Sequence, residues 1–547
     1  MFIDWGVGQF TFKTALARLG VIDWSPQPEG TVASPPVNTQ IIYNTPDDLG
    51  NYFEISLPTL PVISLIGDSN AVGLGTIINP MPEQVPQTVT GGEIWDNSSA
   101  FADITVTGTP NNQGGTSPDR MGCEVPLLYG MQKMLQKSVY MVKCGVGGSK
   151  MNVEWNPTSL GTSITTYHSR VNAVRAKMDT DGYRPNHIGT VVYLGTNDAF
   201  SSTNANAFAA NIEPFLAKLD EFWGGNSGKL IFMYPKDNGS ASDPANWVTI
   251  RAAIAAAAVA NPRISYVEPS VYDFLDTVHY DSPTHTEVGR LASYTLAQDQ
   301  FIPGNLTETY NWHDASDVTS ITKDGSNNVS VWANKKALGT RDFVQAGATG
   351  IQPDYIAGTY PYLNFNNAEY MTCGAISDFT FMHTATGGTL ISVVTPVGTG
   401  DAAYFYLSTV NATGPGFWVF HDNRSAVPAT HKLNQRQFNN STNSGTTGSS
   451  ANNTLVPNTP CVISSSYFAG VTPDVRVRKD NVQVASVGGF SAGTGNAGAV
   501  LTLGARAGAL DFKAIAKFHE ILIFNSQVPS FLVNLSTRKL MSKWGIS

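Results

Sequence analysis

Residues 58–302 alternate short, continuous apolar runs with longer amphipathic segments, and this alternation restricts the possible folds more than any other feature. Pro61–Ile66, Ile188–Leu194 and Leu230–Tyr234 are almost wholly apolar, as strands buried on both faces of a parallel sheet are. Residues 208–222 carry apolar side chains at the spacing of one helix face. Strands separated by helices predict a doubly wound α/β fold with a parallel sheet. The predicted strands are Pro61–Ile66, Ser138–Val142, Ile188–Leu194, Leu230–Tyr234 and Ile264–Val267, and the predicted helices are Pro126–Gln136, Ile164–Met178, Phe208–Phe222, Trp247–Ala260 and Thr286–Gln298.

Residues 303–547 have a different pattern, in which short alternating segments recur between turn signals. Val329–Trp332 and Thr389–Val394 are examples, and this spacing predicts an all-β jelly-roll sandwich. Asn439–Asn453 is expected to be a long loop, and Phe531–Met541 is expected to be helical. Residues 1–57 are interrupted by prolines and are predicted to form an N-terminal appendage and linker. The chain is therefore predicted to have three parts, 1–57, 58–302 and 303–547.

The composition excludes several classes of partner. The net charge is −9, which argues against nucleic acid or an anionic membrane as the main partner, since both need a basic surface. No run approaches 18 apolar residues, so we expect no membrane insertion. The sequence begins without the pattern of a secretory signal. The four cysteines lie far apart, so we expect free, buried thiols and no metal site or cofactor.

The first candidate for chemistry follows the first predicted strand, as Gly67-Asp68-Ser69-Asn70. In an open α/β sheet, reactive groups gather at the carboxyl ends of the strands. A serine in this place can present its hydroxyl at the sheet edge. The alternative is a turn or a helix N-cap, in which all four residue types are common.

Two further strand ends carry groups that can donate a hydrogen bond to an oxyanion. Gly147, with Gly148 as the alternate, can expose a backbone N–H toward Ser69. Asn197 can donate its side-chain amide from the end of the next strand. The alternatives are a tight turn at the glycines and a capping role for Asn197 or Asp198.

The segment Asp276-Thr277-Val278-His279 contains the candidate base. A carboxylate three residues before a histidine can accept the imidazole Nδ1–H if the stretch makes one turn, which leaves Nε2 for the Ser69 proton. His285 and Asp281 compete in the same loop. We rank them lower because the following helix is expected to carry His285 away from the sheet edge.

These four pieces together resemble the SGNH hydrolase superfamily, whose blocks are a G-D-S nucleophile, a glycine donor, a G-x-N-D asparagine donor and a D-x-x-H dyad. Gly67-Asp68-Ser69-Asn70 with Gly73 looks like the G-Q-S-N-x-x-G block of the carbohydrate and sialic-acid O-acetylesterases, with Asp68 in place of glutamine. Gly147-Gly148-Ser149 followed by Trp155, and Gly122-Cys123-Glu124, are similar to further blocks of that branch.

The resemblance implies a role for each matched residue. Ser69 would be the nucleophile, His279 the base and Asp276 its partner, while the Ser69 and Gly147 N–H groups and Asn197 would form the oxyanion hole. The remaining candidates are possible substrate contacts, namely Asp68, Gly148, Lys150 and Trp155.

Residues 303–547 resemble a concanavalin-like, laminin-G-like module. The resemblance rests on Trp312-His313-Asp314, Val331-Trp332-Ala333 and the closing Lys543-Trp544-Gly545-Ile546. Modules of this kind often bind carbohydrate, and Trp418 or Tyr404 could stack on sugars. Core packing is the alternative for both side chains.

The expected function is a serine esterase that removes O-acetyl groups from a bacterial O-antigen or capsule. The low charge and the abundance of Asn, Gly and Thr fit a bacteriophage tail spike or receptor-binding protein, which would locate the chain on the virion, outside the cell. Its partners would then be an O-acetylated polysaccharide, other tail proteins and two further copies in a trimer. The alternatives are a secreted acetylesterase acting on plant polysaccharides, a non-catalytic glycan-binding adhesin, and a lipase or thioesterase.

Overall fold

The computed structural model describes most of the chain after residue 56. The described residues are 41–44, 52–55, 57–76, 86, 88–97, 99–106, 120–225, 227–236, 243–270, 272–337, 339–398, 402–410, 414–424, 431–439, 445–468, 475–489, 492–526 and 528–547. Two compact units are present, Met1–Leu60 with Arg175–Asn186, and Pro61–Val174 with His187–Ser547. In the first, β1 (Ile41–Asn44) pairs antiparallel with β2 (Tyr52–Ile55). Most of the predicted appendage, 1–57, lies outside the described residues.

A seven-stranded sheet covered by helices confirms the predicted α/β fold. The strands that follow β2 are β3 (Thr59–Gly67), β4 (Gly75–Thr76), β5 (Thr88–Trp95), β6 (Phe101–Thr105), β7 (Arg120–Met121), β8 (Val139–Gly145), β9 (Arg184–Tyr193), β10 (Lys229–Met233) and β11 (Ile264–Val267). The helices are α1 (Ser69–Val72), α2 (Glu124–Leu135), α3 (Thr162–Thr180), α4 (Ser202–Trp223), α5 (Pro244–Ala260) and α6 (Ser282–Ala297). The sheet order is β11-β10-β9-β3-β8-β5-β6, and β6 pairs antiparallel with β5 at one edge. β3 and β8 pair in parallel, so Gly67 and Gly145 end side by side.

Two antiparallel sheets follow and confirm the predicted sandwich. Their strands are β12 (Thr309–Asp314), β13 (Ile321–Lys323), β14 (Val329–Trp332), β15 (Phe343–Val344), β16 (Asp354–Ile356), β17 (Tyr362–Asn366), β18 (Met371–Cys373), β19 (Gly388–Pro396), β20 (Ala403–Ser408), β21 (Gly416–Asp422), β22 (Lys432–Phe438), β23 (Gly445–Ser449), β24 (Cys461–Tyr467), β25 (Val475–Lys479), β26 (Val482–Val487), β27 (Leu501–Leu503) and β28 (Ile515–Phe524). One sheet has the order β16-β17-β28-β19-β24-β25-β26, with β12 also on β28. The other has the order β13-β14-β15-β18-β27-β20-β21-β22-β23.

Three local expectations have clear outcomes. The expected loop Asn439–Asn453 is wrong in part, because β23 pairs with β22 inside it. The four cysteines are free and buried, as expected. Across the residues that the structure describes, no helix is long and apolar enough to cross a membrane.

The last helix, α7 (Ser530–Lys543), packs against both the α/β sheet region and the sandwich. Phe531 lies with its ring 6.1 Å from that of Tyr129 on α2, and the Arg290 guanidinium of α6 lies 5.6 Å from the same Phe531 ring. One buried apolar cluster includes Leu128 of α2, Leu532 of α7 and Leu522 of β28. The predicted boundary between residues 302 and 303 stays a prediction, and the core is continuous across it.

The buried carboxylate of Glu520 on β28 fixes the end of α7 to the sandwich. It accepts hydrogen bonds from Trp312 Nε1 (2.8 Å), Trp544 Nε1 (2.8 Å) and Lys543 Nζ (2.6 Å). Asp314 lies close by and binds the same ammonium group at 2.9 Å. A buried ion costs desolvation free energy unless its partners satisfy it, and three donors do so here.

We expect Glu520→Ala to lower the free energy of unfolding by roughly 2–4 kcal/mol, because two indole N–H groups lose their acceptor and Lys543 loses a charge partner. Urea unfolding followed by tryptophan fluorescence measures this change. The matched control is Asp299→Ala, which removes a carboxylate that is 78% exposed in its pair with Lys229 and should cost about 0–1 kcal/mol. Equal unfolding midpoints for the two variants would contradict the assignment.

Candidate active site

The turn after β3 places Ser69 at the carboxyl edge of the sheet. Gly67 has φ +140°, and a Cβ there would lie 2.0 Å from the Tyr193 carbonyl oxygen, so only glycine fits. The Asp68 side chain then accepts the Asn70 N–H at 2.9 Å and caps α1. Ser69 is the first residue of that helix, and its side chain is half-buried.

Ser69, His279 and Asp276 form a hydrogen-bonded chain. His279 Nε2 lies 2.9 Å from Ser69 Oγ, and His279 Nδ1 lies 2.7 Å from Asp276 Oδ2. The other oxygen of Asp276 accepts the backbone N–H groups of Val278 (2.8 Å) and His279 (2.9 Å), which makes the predicted turn. Partial burial raises the pKa of Asp276, but the bonds from His279 and Val278 lower it more, so the carboxyl lies below its usual value.

Asn70 joins the nucleophile turn to the histidine loop, a role that was not predicted. Its Nδ2 donates to the Val278 carbonyl at 3.2 Å, and its Oδ1 accepts the Tyr280 N–H at 2.9 Å. The two bonds flank His279 and fix its loop against α1. The sequence signal for this role is the asparagine directly after G-D-S. Such a local pattern does not show that its hydrogen-bond partners lie more than 200 residues along the chain.

The three predicted oxyanion donors lie around Ser69. Gly147 follows β8, and a Cβ placed on it would lie 3.9 Å from Ser69 Cβ, so its backbone is adjacent to the nucleophile. The Val146 N–H donates to the Gly67 carbonyl at 2.9 Å and fixes this loop to the nucleophile turn. Within the described part of the chain, neither the Ser69 N–H nor the Gly147 N–H donates to another protein group. Both are therefore available to an oxyanion.

Asp68 orients the third donor. Asn197 Nδ2 donates to Asp68 Oδ2 at 3.2 Å, which fixes the plane of the Asn197 amide. Burial raises the pKa of Asp68 to about 7, opposed by the bond from the Asn70 N–H, and nearby Asp198 raises it further. Asp198 is itself buried and accepts the Met151 N–H at 3.1 Å, and burial raises its pKa to about 6. Two buried carboxyls therefore support the oxyanion side of the site.

Two of the predicted substrate contacts are buried and are bound to other protein groups. Trp155 is 0% exposed, and its Nε1 donates to Ser149 Oγ at 2.8 Å, so it supports the glycine loop from within the core. Asp68 is also 0% exposed and is occupied by Asn70 and Asn197. Gly148 is exposed and Lys150 is half-buried, so for these two a role as substrate contact stays a prediction.

The Glu124–Lys143 pair under α1 was not predicted. Lys143 Nζ lies 3.3 Å from Glu124 Oε2 and donates to the Val72 carbonyl at the end of α1 (2.8 Å). Glu124 Oε1 accepts the Gly122 N–H at 3.0 Å. Burial lowers the pKa of Lys143, opposed by the charge of Glu124. This pair supports the helix that carries Ser69.

The two competing residues have other hydrogen-bond partners. His285 is buried and its Nδ1 lies 3.2 Å from the Tyr193 hydroxyl, whereas it is His279 that contacts Ser69 Oγ. Asp281 accepts the Ser282 N–H at 2.8 Å and caps α6. Within the described residues, no group of three or more His, Cys, Asp or Glu side chains is arranged to hold a metal ion.

Residues 60–298 match the family described as carbohydrate esterase, sialic acid-specific acetylesterase. This part of the chain is a carbohydrate acetylesterase domain. The match includes Ser69, Gly147, Asn197, Asp276 and His279, and the expectation of a carboxylic-ester hydrolase is confirmed.

Solved structures similar to the acetylesterase chain are distant. A protein from Arabidopsis thaliana is 14% identical over 45% of this chain and 100% of its own, with a TM-score of 0.36. A carbohydrate acetylesterase from Xanthomonas citri is 12% identical over 62% of this chain and 76% of its own, with a TM-score of 0.33. The sialidase of Trypanosoma rangeli is 12% identical over 43% of this chain and 33% of its own, with a TM-score of 0.30. No curated protein sequence matches the chain.

We expect Asp68→Asn to stabilise the acetylesterase at high pH while slowing it. The folded pKa of about 7 lies above the ordinary value of 3.8, so the folded state loses stability as the pH rises from about 4 to about 7, and the neutral amide avoids this loss. The gain should reach at most about 4 kcal/mol at pH 8, at about 1.4 kcal/mol per pKa unit, and vanish near pH 4.

The amide has only one acceptor oxygen, so either the Asn70 N–H or Asn197 Nδ2 loses its partner. Urea unfolding at pH 4 and pH 8, with kcat measured at pH 8, tests both effects. A variant that is no more stable at pH 8 than the unchanged chain would show that burial does not raise the pKa of the Asp68 carboxyl.

We expect Asn197→Ala to lower kcat about 10²–10³-fold with little change in KM, because the lost donor acts on the charge that develops in the transition state. Steady-state hydrolysis of 4-nitrophenyl acetate measures it. Asn261→Ala, which removes a surface amide bound to Glu213, is the control and should leave kcat unchanged. A change in KM alone would assign Asn197 to ground-state binding instead.

Proposed function

We propose that this acetylesterase removes O-acetyl groups from a polysaccharide. The hydrogen-bonded chain from Ser69 through His279 to Asp276, beside the Gly147 and Asn197 donors, carries the proposal. The side chains of His279 and Asp276 are 22% and 48% exposed. An acetyl group on a bulky polymer can therefore approach these side chains from solvent.

The first half of the reaction acylates Ser69. Ser69 Oγ attacks the acetyl carbonyl carbon while His279 Nε2 takes the hydroxyl proton, and Asp276 stabilises the imidazolium that forms. The carbonyl oxygen becomes an oxyanion that faces the Ser69 and Gly147 N–H groups and the Asn197 amide. The C–O bond to the sugar then breaks, and His279 returns its proton to the departing sugar hydroxyl.

The second half releases acetate. A water molecule gives a proton to His279 Nε2 and attacks the acetyl carbonyl carbon of the acyl-enzyme. The oxyanion forms again before the same three donors. The bond to Ser69 Oγ breaks, the proton returns from His279 to Ser69, and acetic acid leaves. These steps use only the residues of this chain and water.

The setting that we propose is a bacteriophage tail protein acting on a host O-antigen or capsule. Only 14% of the residues are charged, against about 25% in an average soluble protein, and the surface of such tail proteins is expected to be polar and weakly charged. A plant-polysaccharide acetylesterase uses the same chemistry on another polymer. An adhesin that only binds glycan would have no use for the Ser69–His279 bond.

We expect the unchanged chain to release acetate from O-acetylated bacterial capsule or O-antigen, and Ser69→Ala to reduce the rate at least about 10³-fold. Acetate is measured enzymatically, with acetylated xylan and O-acetylated N-acetylneuraminic acid as parallel substrates. Ser326→Ala, which changes an exposed serine in the turn between β13 and β14, is the matched control and should keep full activity.

The pattern of substrates distinguishes the alternatives. Activity on xylan but not on bacterial polymers would favour the plant-polysaccharide acetylesterase. Activity on free sugar esters but on no polymer would contradict the polysaccharide assignment and leave the esterase intact. Equal rates for the unchanged chain and Ser69→Ala would contradict the proposed mechanism.

A further inference from the structure

Strands β20, β21 and β22 carry two separate apolar clusters on opposite faces of the nine-stranded sheet. Tyr404, Val419 and Leu433 belong to the core of the sandwich. Alternate residues of the same strands, such as Phe405 and Trp418, belong to a second cluster outside that core. Successive side chains of a strand point to opposite faces, so the second cluster lies on the outer face. Of the two candidates for sugar stacking, Tyr404 is therefore a core residue and Trp418 is not.

A cavity of about 310 Å³ opens on this outer face. The lining residues on which the argument depends come from β21 and the residues just after it, from β22 and from the segment after β27, and they are Phe420, Arg424, Asn434, Arg436, Arg506 and Phe512. The volume is at the small end of the 300–1,000 Å³ range of ligand pockets, which suits one sugar unit. Every lining residue lies in the sandwich, and the Ser69 site contributes none.

The cavity combines aromatic walls with guanidinium groups. Arg436 lies 5.5 Å from the Trp418 ring centre, Arg424 lies 6.0 Å from that of Phe420, and Arg506 lies 4.7 Å from that of Phe512. Stacking of this kind holds a guanidinium plane in place. Three cations thus stand at fixed positions around one small cavity, in a chain whose net charge is −9.

Two of these arginines form ion pairs beside the cavity. Arg424 Nε and Nη2 donate to Asp422 at 2.9 and 3.0 Å, and Arg506 Nε donates to Asp511 at 2.7 Å. Burial lowers the pKa of Arg436, and the nearby charge of Arg424 lowers it further. A bound anion would offset this repulsion between the two guanidinium groups. A guanidinium has five N–H donors, so Arg424 and Arg506 keep donors beyond these pairs.

Asn434 adds a polar group that points to a ligand. Its Nδ2 donates to Asp422 Oδ2 at 3.1 Å, but its Oδ1 is buried and has no hydrogen-bond partner among the described residues. Asn434 is only 4% exposed, and a buried acceptor without a donor costs free energy. A hydroxyl or amide N–H of a ligand in the cavity would satisfy it.

We propose that this cavity binds a carboxylate-bearing sugar unit of a glycan, a sialic or a uronic acid. The carboxylate pairs with the arginine forks, for which planar two-point recognition is typical. The apolar ring face packs on the exposed aromatic Phe512, and a hydroxyl donates to Asn434 Oδ1. The sandwich thus captures an acidic glycan at a site that is separate from the one that removes acetyl groups.

The test measures glycan binding to the full chain carrying Ser69→Ala, so that no probe is deacetylated. Isothermal titration calorimetry compares polysialic acid and polygalacturonate with neutral dextran. We expect an acidic polymer to bind, dextran not to bind, and the affinity to fall as NaCl rises. Arg424→Gln and Phe512→Ala, at side chains that are 52% and 41% exposed, should each weaken binding about tenfold or more.

The control is Arg538→Gln, which removes an exposed arginine of α7 outside the cavity and should leave binding unchanged. The variants at Arg424 and Phe512, made with Ser69 present, should keep full hydrolysis of 4-nitrophenyl acetate, which separates this proposal from the esterase. The choice between polysialic acid and polygalacturonate identifies the acid. Dextran bound as tightly as the acidic polymers, binding unchanged in both cavity variants, or no binding of either acidic polymer would overturn the proposal.

Discussion

The site depends on one buried amide, that of Asn70. It bonds at both ends to the loop that carries His279, more than 200 residues along the chain. Asp276 holds the imidazole from within the same loop and cannot by itself fix the distance to Ser69. Asn70 therefore helps to set the separation of 2.9 Å between Ser69 Oγ and His279 Nε2. Positioning of this kind is where much of the catalytic rate enhancement of an enzyme arises.

The catalytic candidates could be predicted because each is marked by a local pattern at a predictable place. Ser69 follows a buried strand, and the Asp276–His279 spacing allows one turn in which carboxylate and imidazole meet. The parallel sheet then brings these ends to one edge. The bond between Asp68 and Asn197 could not be predicted, since it joins two strand ends 129 residues apart. The burial of Trp155 could not be predicted for a related reason, because the burial of a short loop depends on what packs over it.

The elements of the fold, too, could be predicted where a local pattern marks them. The continuous apolar run Pro61–Ile66 lies within a buried strand as predicted, since such a run has few alternatives, and Ile264–Val267 was predicted with its exact bounds. Thr88–Trp95 and Phe101–Thr105 were missed, because strands near an edge mix polar and apolar residues and do not resemble a buried strand. The strand Gly445–Ser449 consists only of Gly, Thr and Ser, which is typical of a loop, and its pairing with β22 decides its conformation.

The position of α7 has a consequence for the order in which the molecule can form. Synthesis proceeds from the N-terminus at roughly 5–20 residues per second, so α2 and α6 emerge tens of seconds before the helix that packs on them. During that time the apolar surface around Tyr129 lacks its Phe531 cover. The nascent acetylesterase region is thus open to aggregation or to chaperones until the sandwich and α7 follow. The region that carries the catalytic residues is therefore fully packed only after the sandwich and α7 have been synthesised.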